Sequence, residues 1–202
     1  MLGHDWGAHA AYAAAVLAPD LFDHIVALAA PYGPGFRSAL QTSAEQQRRS
    51  WYIFIFQSKL AEAAIADDGC ALVERLREDW SPDWKLTPDA MAELLKTFAS
   101  PGVADAALSY YRCAFGSATQ VNAHAALQRR IGTKPILVPC LYLHGEQDGC
   151  ISHSVGRNMA ELFPGGFERH VMPGLGHFLH LEAPDKLNAV IAGCLKAAVK
   201  QE

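Results

Sequence analysis

At 202 residues, half of them apolar and 19% charged, the chain has enough apolar content for one globular domain with a sizeable core, which excludes a disordered protein. Its formal net charge is −4 and no basic run is longer than Arg48-Arg49 or Arg129-Arg130, so it lacks the electrostatic footprint of a nucleic-acid binder. No apolar run approaches the roughly 20 residues that span a bilayer, and five scattered cysteines without a Cys-x-x-Cys spacing fit free thiols in a reducing cytoplasm.

The chain opens on Gly3-His4-Asp5-Trp6-Gly7. Glycines around a central residue permit a sharp, strained turn from strand to helix that exposes the middle side chain. Here that side chain is Asp5, a carboxylate already ionised at neutral pH and suited to attack on a saturated carbon. Ala8 to Leu17 then reads as a helix of good helix formers closed by Pro19-Asp20, with its N-terminal amides favouring negative charge at the site. Ile25 to Ala29 is a continuous apolar run, the pattern of a strand buried on both faces of a parallel sheet.

Pro31-Tyr32-Gly33-Pro34-Gly35 interrupts regular structure and marks a boundary. Beyond it the signals are helical: Ser43 to Ala66, Ala71 to Trp80, Thr87 to Ala99 with Pro88 in its first turn, and Pro101 to Phe115 after a Ser100 cap. The sheet resumes at Pro135 to Leu143. Ser152 to Phe163 reads as a helix, Phe167 to Met172 as an edge strand, and Ala183 to Lys200 as a closing amphipathic helix. The chain therefore divides into core residues 1–32, a helical insertion 33–131, and core residues 132–202.

Two further sites stand where parallel strands end. Asp148 follows His144-Gly145-Glu146-Gln147, with Glu146 as its competitor, and His177 lies in Pro173-Gly174-Leu175-Gly176-His177-Phe178, with His180 as its rival. An Asp-Gly pair commonly caps a turn, and an isolated histidine is commonly structural. A metal reading of His177 with His180 finds no third ligand at a helical or finger spacing, and no residue pattern points to a cofactor.

The order Asp5, Asp148, His177 resembles that of the α/β-hydrolase superfamily, and Gly-His-Asp-Trp-Gly-Ala is similar to its aspartate-nucleophile branch of epoxide hydrolases and haloalkane dehalogenases. The resemblance implies an α/β fold with a parallel sheet flanked by helices and an inserted all-helical cap. Because the sequence starts at the elbow strand, it also implies a C-terminal portion of that fold, without the His-Gly-x-Pro-type loop that gives the second oxyanion amide. The segments Trp51-Tyr52-Ile53-Phe54-Ile55-Phe56-Gln57 and Ser109-Tyr110-Tyr111-Arg112 resemble the two cap segments that each supply an active-site tyrosine in epoxide hydrolases, which assigns Tyr52 and Tyr111.

What the resemblance implies is an ester formed on Asp5, hydrolysed by water that His177 activates with Asp148 behind it, and two phenols that stabilise the alkoxide. Trp6 would supply an oxyanion amide, and Trp51, Phe54, Phe56 and Phe115 an apolar lining for a small hydrophobic epoxide. A haloalkane dehalogenase would share Asp5, Asp148 and His177 without needing the tyrosines. A non-catalytic or partner-dependent fragment is the alternative from another class, because a sheet lacking neighbours exposes an apolar edge and invites homo-oligomers.

Overall fold

The computed structural model describes residues 1–66, 68–116 and 122–199. Four parallel strands lie in the order β1 (Leu2–His4), β2 (Ile25–Leu28), β3 (Cys140–Gly145), β4 (Phe167–Met172). Their register pairs Gly3 with Ala27, Val26 with Leu141, and Leu143 with His170. In β2 and β3 every residue is buried, because both faces of the sheet are covered. Alternation divides them: Ile25, Ala27, Cys140 and Tyr142 join the cluster under the first helix, whereas Val26, Leu28, Leu141 and Leu143 join one with Leu179 and Leu187.

That first helix, α1 (Trp6–Leu17), lays Ala8, Ala11, Tyr12 and Ala15 on the sheet. The small alanines allow close approach, and the one large residue, Tyr12, is fully buried with its hydroxyl donating to the Ala30 carbonyl at 3.0 Å. A short 3-10 turn at Pro19–Leu21 leads into β2.

Between β2 and β3 the described residues are helical: α2 (Gly35–Thr42), α3 (Ala44–Arg49), α4 (Trp51–Phe56), α5 (Ala61–Ala66), α6 (Ala71–Trp80), α7 (Pro88–Phe98), α8 (Val103–Phe115) and α9 (Asn122–Arg130). Helices α2 and α4 to α8 share a third apolar cluster, including Tyr52, Ile53, Phe56, Leu76 and Leu108, which Cys150 and Ile151 join from beyond β3. Two further helices, α10 (Leu179–Glu182) and α11 (Pro184–Val199), complete the second face. The closing helix was expected through Lys200, which lies outside the described residues.

Several expectations are corrected. The continuous helix from Ser43 to Ala66 is three pieces, because Ser50 is tied by its hydroxyl to Gln46 (2.8 Å) and Ser58 bonds locally to Ile55 and Leu60, so that side chains compete with the helical ladder. Ser100 caps nothing: its hydroxyl donates back to Lys96, and Gly102, at φ 79°, starts α8. The strand expected from Pro135 begins only at Cys140, since Pro135 and Pro139 have no N–H for a ladder and Ile136 donates to Leu162 instead. Ser152 to Phe163 forms two 3-10 turns, His153–Gly156 and Met159–Leu162, where Gly156 packs so tightly on the Tyr142 ring that a Cβ would stand 2.7 Å from it. The helix α2 follows directly on the Pro31 to Pro34 break and was not anticipated.

Candidate active site

Asp5 sits between β1 and α1 with φ 50° and ψ −118°, a conformation that costs a residue with a Cβ of order 1–3 kcal/mol and is held here by its surroundings. Its N–H donates to Leu28 and its carbonyl accepts from Ala8 and His9. Gly3 makes the elbow possible, because a Cβ there would stand 2.2 Å from the Gly7 carbonyl oxygen; a Cβ on Gly7 would meet nothing within 4 Å. Only the first of the two flanking glycines is therefore required by space.

The loop after β3 brings Asp148 beneath the site and the loop after β4 brings in His177; both residues are about 1% exposed. His177 Nδ1 is 2.8 Å from Asp148 Oδ2, and His177 Nε2 is 3.3 Å from Asp5 Oδ1. The other Asp148 oxygen accepts the backbone N–H groups of Cys150 (2.7 Å) and Ile151 (2.9 Å). Glu146, the competing acid, is exposed. His180 packs its ring, tilted, 4.5 Å from that of His4, whose Nε2 in turn is 2.9 Å from the His177 carbonyl, so this pair braces the histidine loop.

Charge follows from this geometry. Burial disfavours the His177 imidazolium, yet the carboxylates of Asp148 and Asp5 outweigh burial and push it up to about 10. Burial likewise opposes ionisation of Asp148, but His177 and His144 hold its carboxyl well below the usual range. Asp5 is also held below its usual value despite burial, by His177, by His4 and by the Trp6 N–H that donates to it.

Over the carboxylate stand residues of the helical insertion. Tyr52 from α4 and Tyr111 from α8 meet edge to face with ring centroids 5.6 Å apart, and Tyr111 lies 5.3 Å from Trp6. Both phenols are pushed up chiefly by burial, with the Asp5 charge adding to the effect. Phe56 backs them, 5.0 Å from the Tyr111 ring. Trp51 packs, half-buried, against the apolar cluster of the insertion. Phe54 is 56% exposed and points away from any lining, a correction explained by its place on the outer face of the short helix α4. Phe115 contacts Trp6 (6.4 Å) and Phe36 (6.0 Å) beside an open groove that also involves His9, Tyr32 and Arg37.

Four residues near the site escaped the sequence reading. His144, fully buried, joins Asp148 (3.0 Å) and the Ile151 carbonyl (2.9 Å), with the Tyr142 hydroxyl on its other nitrogen. Arg49 donates to the Asp148 carbonyl. Trp80 accepts through its carbonyl from both Gly149 (3.1 Å) and His177 (3.0 Å), joining the insertion to both loops, while its ring lies 5.4 Å from His177. Cys150 places Sγ 3.2 Å from the Tyr52 hydroxyl. His144 carried a signal, as a polar residue in an apolar strand; the other three are long-range contacts without one.

Known proteins share this fold. The alpha/beta hydrolase fold family matches residues 1–184. Among curated proteins, Epoxide hydrolase 3 of Xenopus tropicalis is 24% identical over 97% of this chain and 52% of its own length, and Epoxide hydrolase 2 of Caenorhabditis elegans is 25% identical over 93% and 52%. The chain spans about half the length of the curated relatives it matches. Among solved structures, a 22% identical chain of Klebsiella pneumoniae superposes with a TM-score of 0.81 over 98% of this chain and 64% of its own. The Bacillus megaterium epoxide hydrolase in complex with an inhibitor, 24% identical, gives 0.75 over 96% and 68%.

Proposed function

Since the chain belongs to the α/β-hydrolase fold family, we propose that it is a hydrolase of the epoxide hydrolase type, converting a small hydrophobic epoxide and water to a vicinal diol through an ester on Asp5. The observation that carries this reading is the pairing of two buried phenols, Tyr52 and Tyr111, above a carboxylate at the strained elbow, with the His177–Asp148 pair beside it. Residues 33–131 act in it as a cap, and residues 1–32 and 132–202 as the core. Asp5 serves as nucleophile, Asp148 and His177 as the water-activating pair, and Trp6, Trp51 and Phe56 as the surrounding oxyanion and lining residues.

In the first step an Asp5 oxygen attacks a ring carbon, the ring C–O bond breaks, and the oxygen takes a proton from Tyr52 or Tyr111. Because burial keeps both phenols protonated at any working pH, that proton is always at hand. Formation of the ester removes the charge of Asp5, one of the two carboxylates that hold His177 in its charged form. His177 then releases its proton, which restores the tyrosine, and the neutral imidazole takes a proton from water. Hydroxide adds to the ester carbonyl, the Trp6 N–H stabilises the oxyanion, and collapse frees the diol and Asp5. Nucleophile and base are thus coupled by charge: the base becomes available only once the nucleophile has reacted.

The test is the pair of substitutions Tyr52→Phe and Tyr111→Phe. For an epoxide hydrolase the double variant loses diol formation by about 100-fold or more, in line with removal of general acids. Release of halide from a haloalkane, undiminished in the double variant, would instead establish a dehalogenase.

A further inference from the structure

Cys150 is the chemical group that the proposed reaction leaves without a task. It is 1% exposed, yet its Sγ, an Asp5 carboxylate oxygen and a His177 ring nitrogen all lie within 4.8 Å of one another. We propose that Asp5, Cys150 and His177 form a capture site for a thiophilic divalent cation such as Zn²⁺, whose binding blocks the nucleophile and the base together.

One carboxylate oxygen, one sulfur and one imidazole nitrogen form the donor set of a three-residue zinc site that keeps a fourth position for water. It discriminates against Mg²⁺ and Ca²⁺, which take oxygen ligands. Zinc bond lengths of about 2.0–2.3 Å place tetrahedral donors roughly 3.3–3.8 Å apart. The Asp5–His177 pair already stands at 3.3 Å, and Sγ, within 4.8 Å of both, has about 1 Å to close on binding. The outer partners are also in place. Asp148 holds His177 Nδ1 at 2.8 Å, which leaves Nε2 for the metal, and Tyr52, 3.2 Å from Sγ, is positioned to donate to a thiolate. On binding, the thiol proton and the imidazolium proton pass to solvent, and the metal replaces them as the positive charge between Asp5 and Asp148. The site is invisible to spacing rules because its ligands stand 145 and 27 residues apart and meet only through the elbow and the two loops.

The purified chain is titrated with Co²⁺ while sulfur-to-cobalt charge-transfer absorption is followed, a readout that needs no catalysis and so is independent of the epoxide reading. One equivalent of Co²⁺ with a thiolate band, displaced by Zn²⁺ and not by Mg²⁺, is expected. In Cys150→Ser the band is lost and Zn²⁺ affinity falls on the order of 100-fold or more, and Asp5→Asn and His177→Gln weaken binding as well. Cys113→Ser, at an exposed cysteine, retains the band. A band that survives in Cys150→Ser, affinity unchanged in Asp5→Asn and His177→Gln, or no thiolate band in the folded wild-type chain would each overturn the proposal. Near-UV circular dichroism establishes that each variant is folded.

Discussion

The charge state of His177 is the residue-scale quantity from which most of the chemistry follows. Its ordinary value of 6.5 is raised to about 10 in the folded chain, by Asp148 and Asp5 acting against burial. A raised folded value means stability that is complete below 6.5 and is lost progressively as pH climbs towards 10. Asp5 and Asp148 behave in the opposite sense, since their lowered values contribute stability above the usual carboxylate range that is lost as pH falls through it. The difference in unfolding free energy between wild type and His177→Gln is therefore expected to shrink as pH rises from 6.5 to 10; a difference constant across that window would refute the assigned charge state. The meeting of Asp5, Asp148 and His177 was legible in the sequence because each follows a strand and the strands are parallel, so their carboxyl ends converge. Cys150 and Trp80 were not, because proximity to His177 across a folded loop leaves no mark on local sequence.

At the scale of elements, the junction of the insertion with the loops that carry Asp148 and His177 rests on the Trp80 carbonyl, which accepts from Gly149 and His177 at once. Gly149 is forced there: a Cβ would stand 1.8 Å from the Asp79 carbonyl oxygen. Gly149→Ala is expected to lower stability by about 1–3 kcal/mol in denaturant titration, the usual range for overpacking, and to reduce turnover by displacing His177. An unchanged midpoint would show that the junction yields freely. Thr87 provides a milder comparison, since its hydroxyl accepts the Ala90 N–H at 3.3 Å at the start of α7; Thr87→Ala is expected to cost about 1 kcal/mol without an effect on turnover. The start of α7 behind Thr87 and Pro88 and the doubly buried strand β2 were readable because each depends on residues within a few positions. The first break within the Ser43 to Ala66 region involves Gln46 reaching both Ser50 and the distant Cys150 carbonyl, which no periodicity reveals.

At the scale of the whole molecule, β2 is paired on both sides, and among the described residues β1 and β4 are the two edge strands of the sheet, β1 being the apolar one. Leu2 there is 55% exposed and borders a groove shared with Phe22, Val26, Ile191 and Leu195. An apolar open edge is a template for association, so sedimentation is expected to show concentration-dependent oligomers, weakened about tenfold or more by Leu2→Lys. A monomer at all concentrations would contradict this. The central claim is that this chain uses Asp5 as a nucleophile towards epoxides, and it is tested most directly by mass spectrometry of the His177→Gln variant after exposure to an aromatic epoxide such as styrene oxide. The account predicts an added mass equal to the intact epoxide, located on Asp5 and absent from an Asp5→Asn, His177→Gln double variant. A folded protein without an adduct, or an adduct on another residue that persists in the double variant, would contradict it.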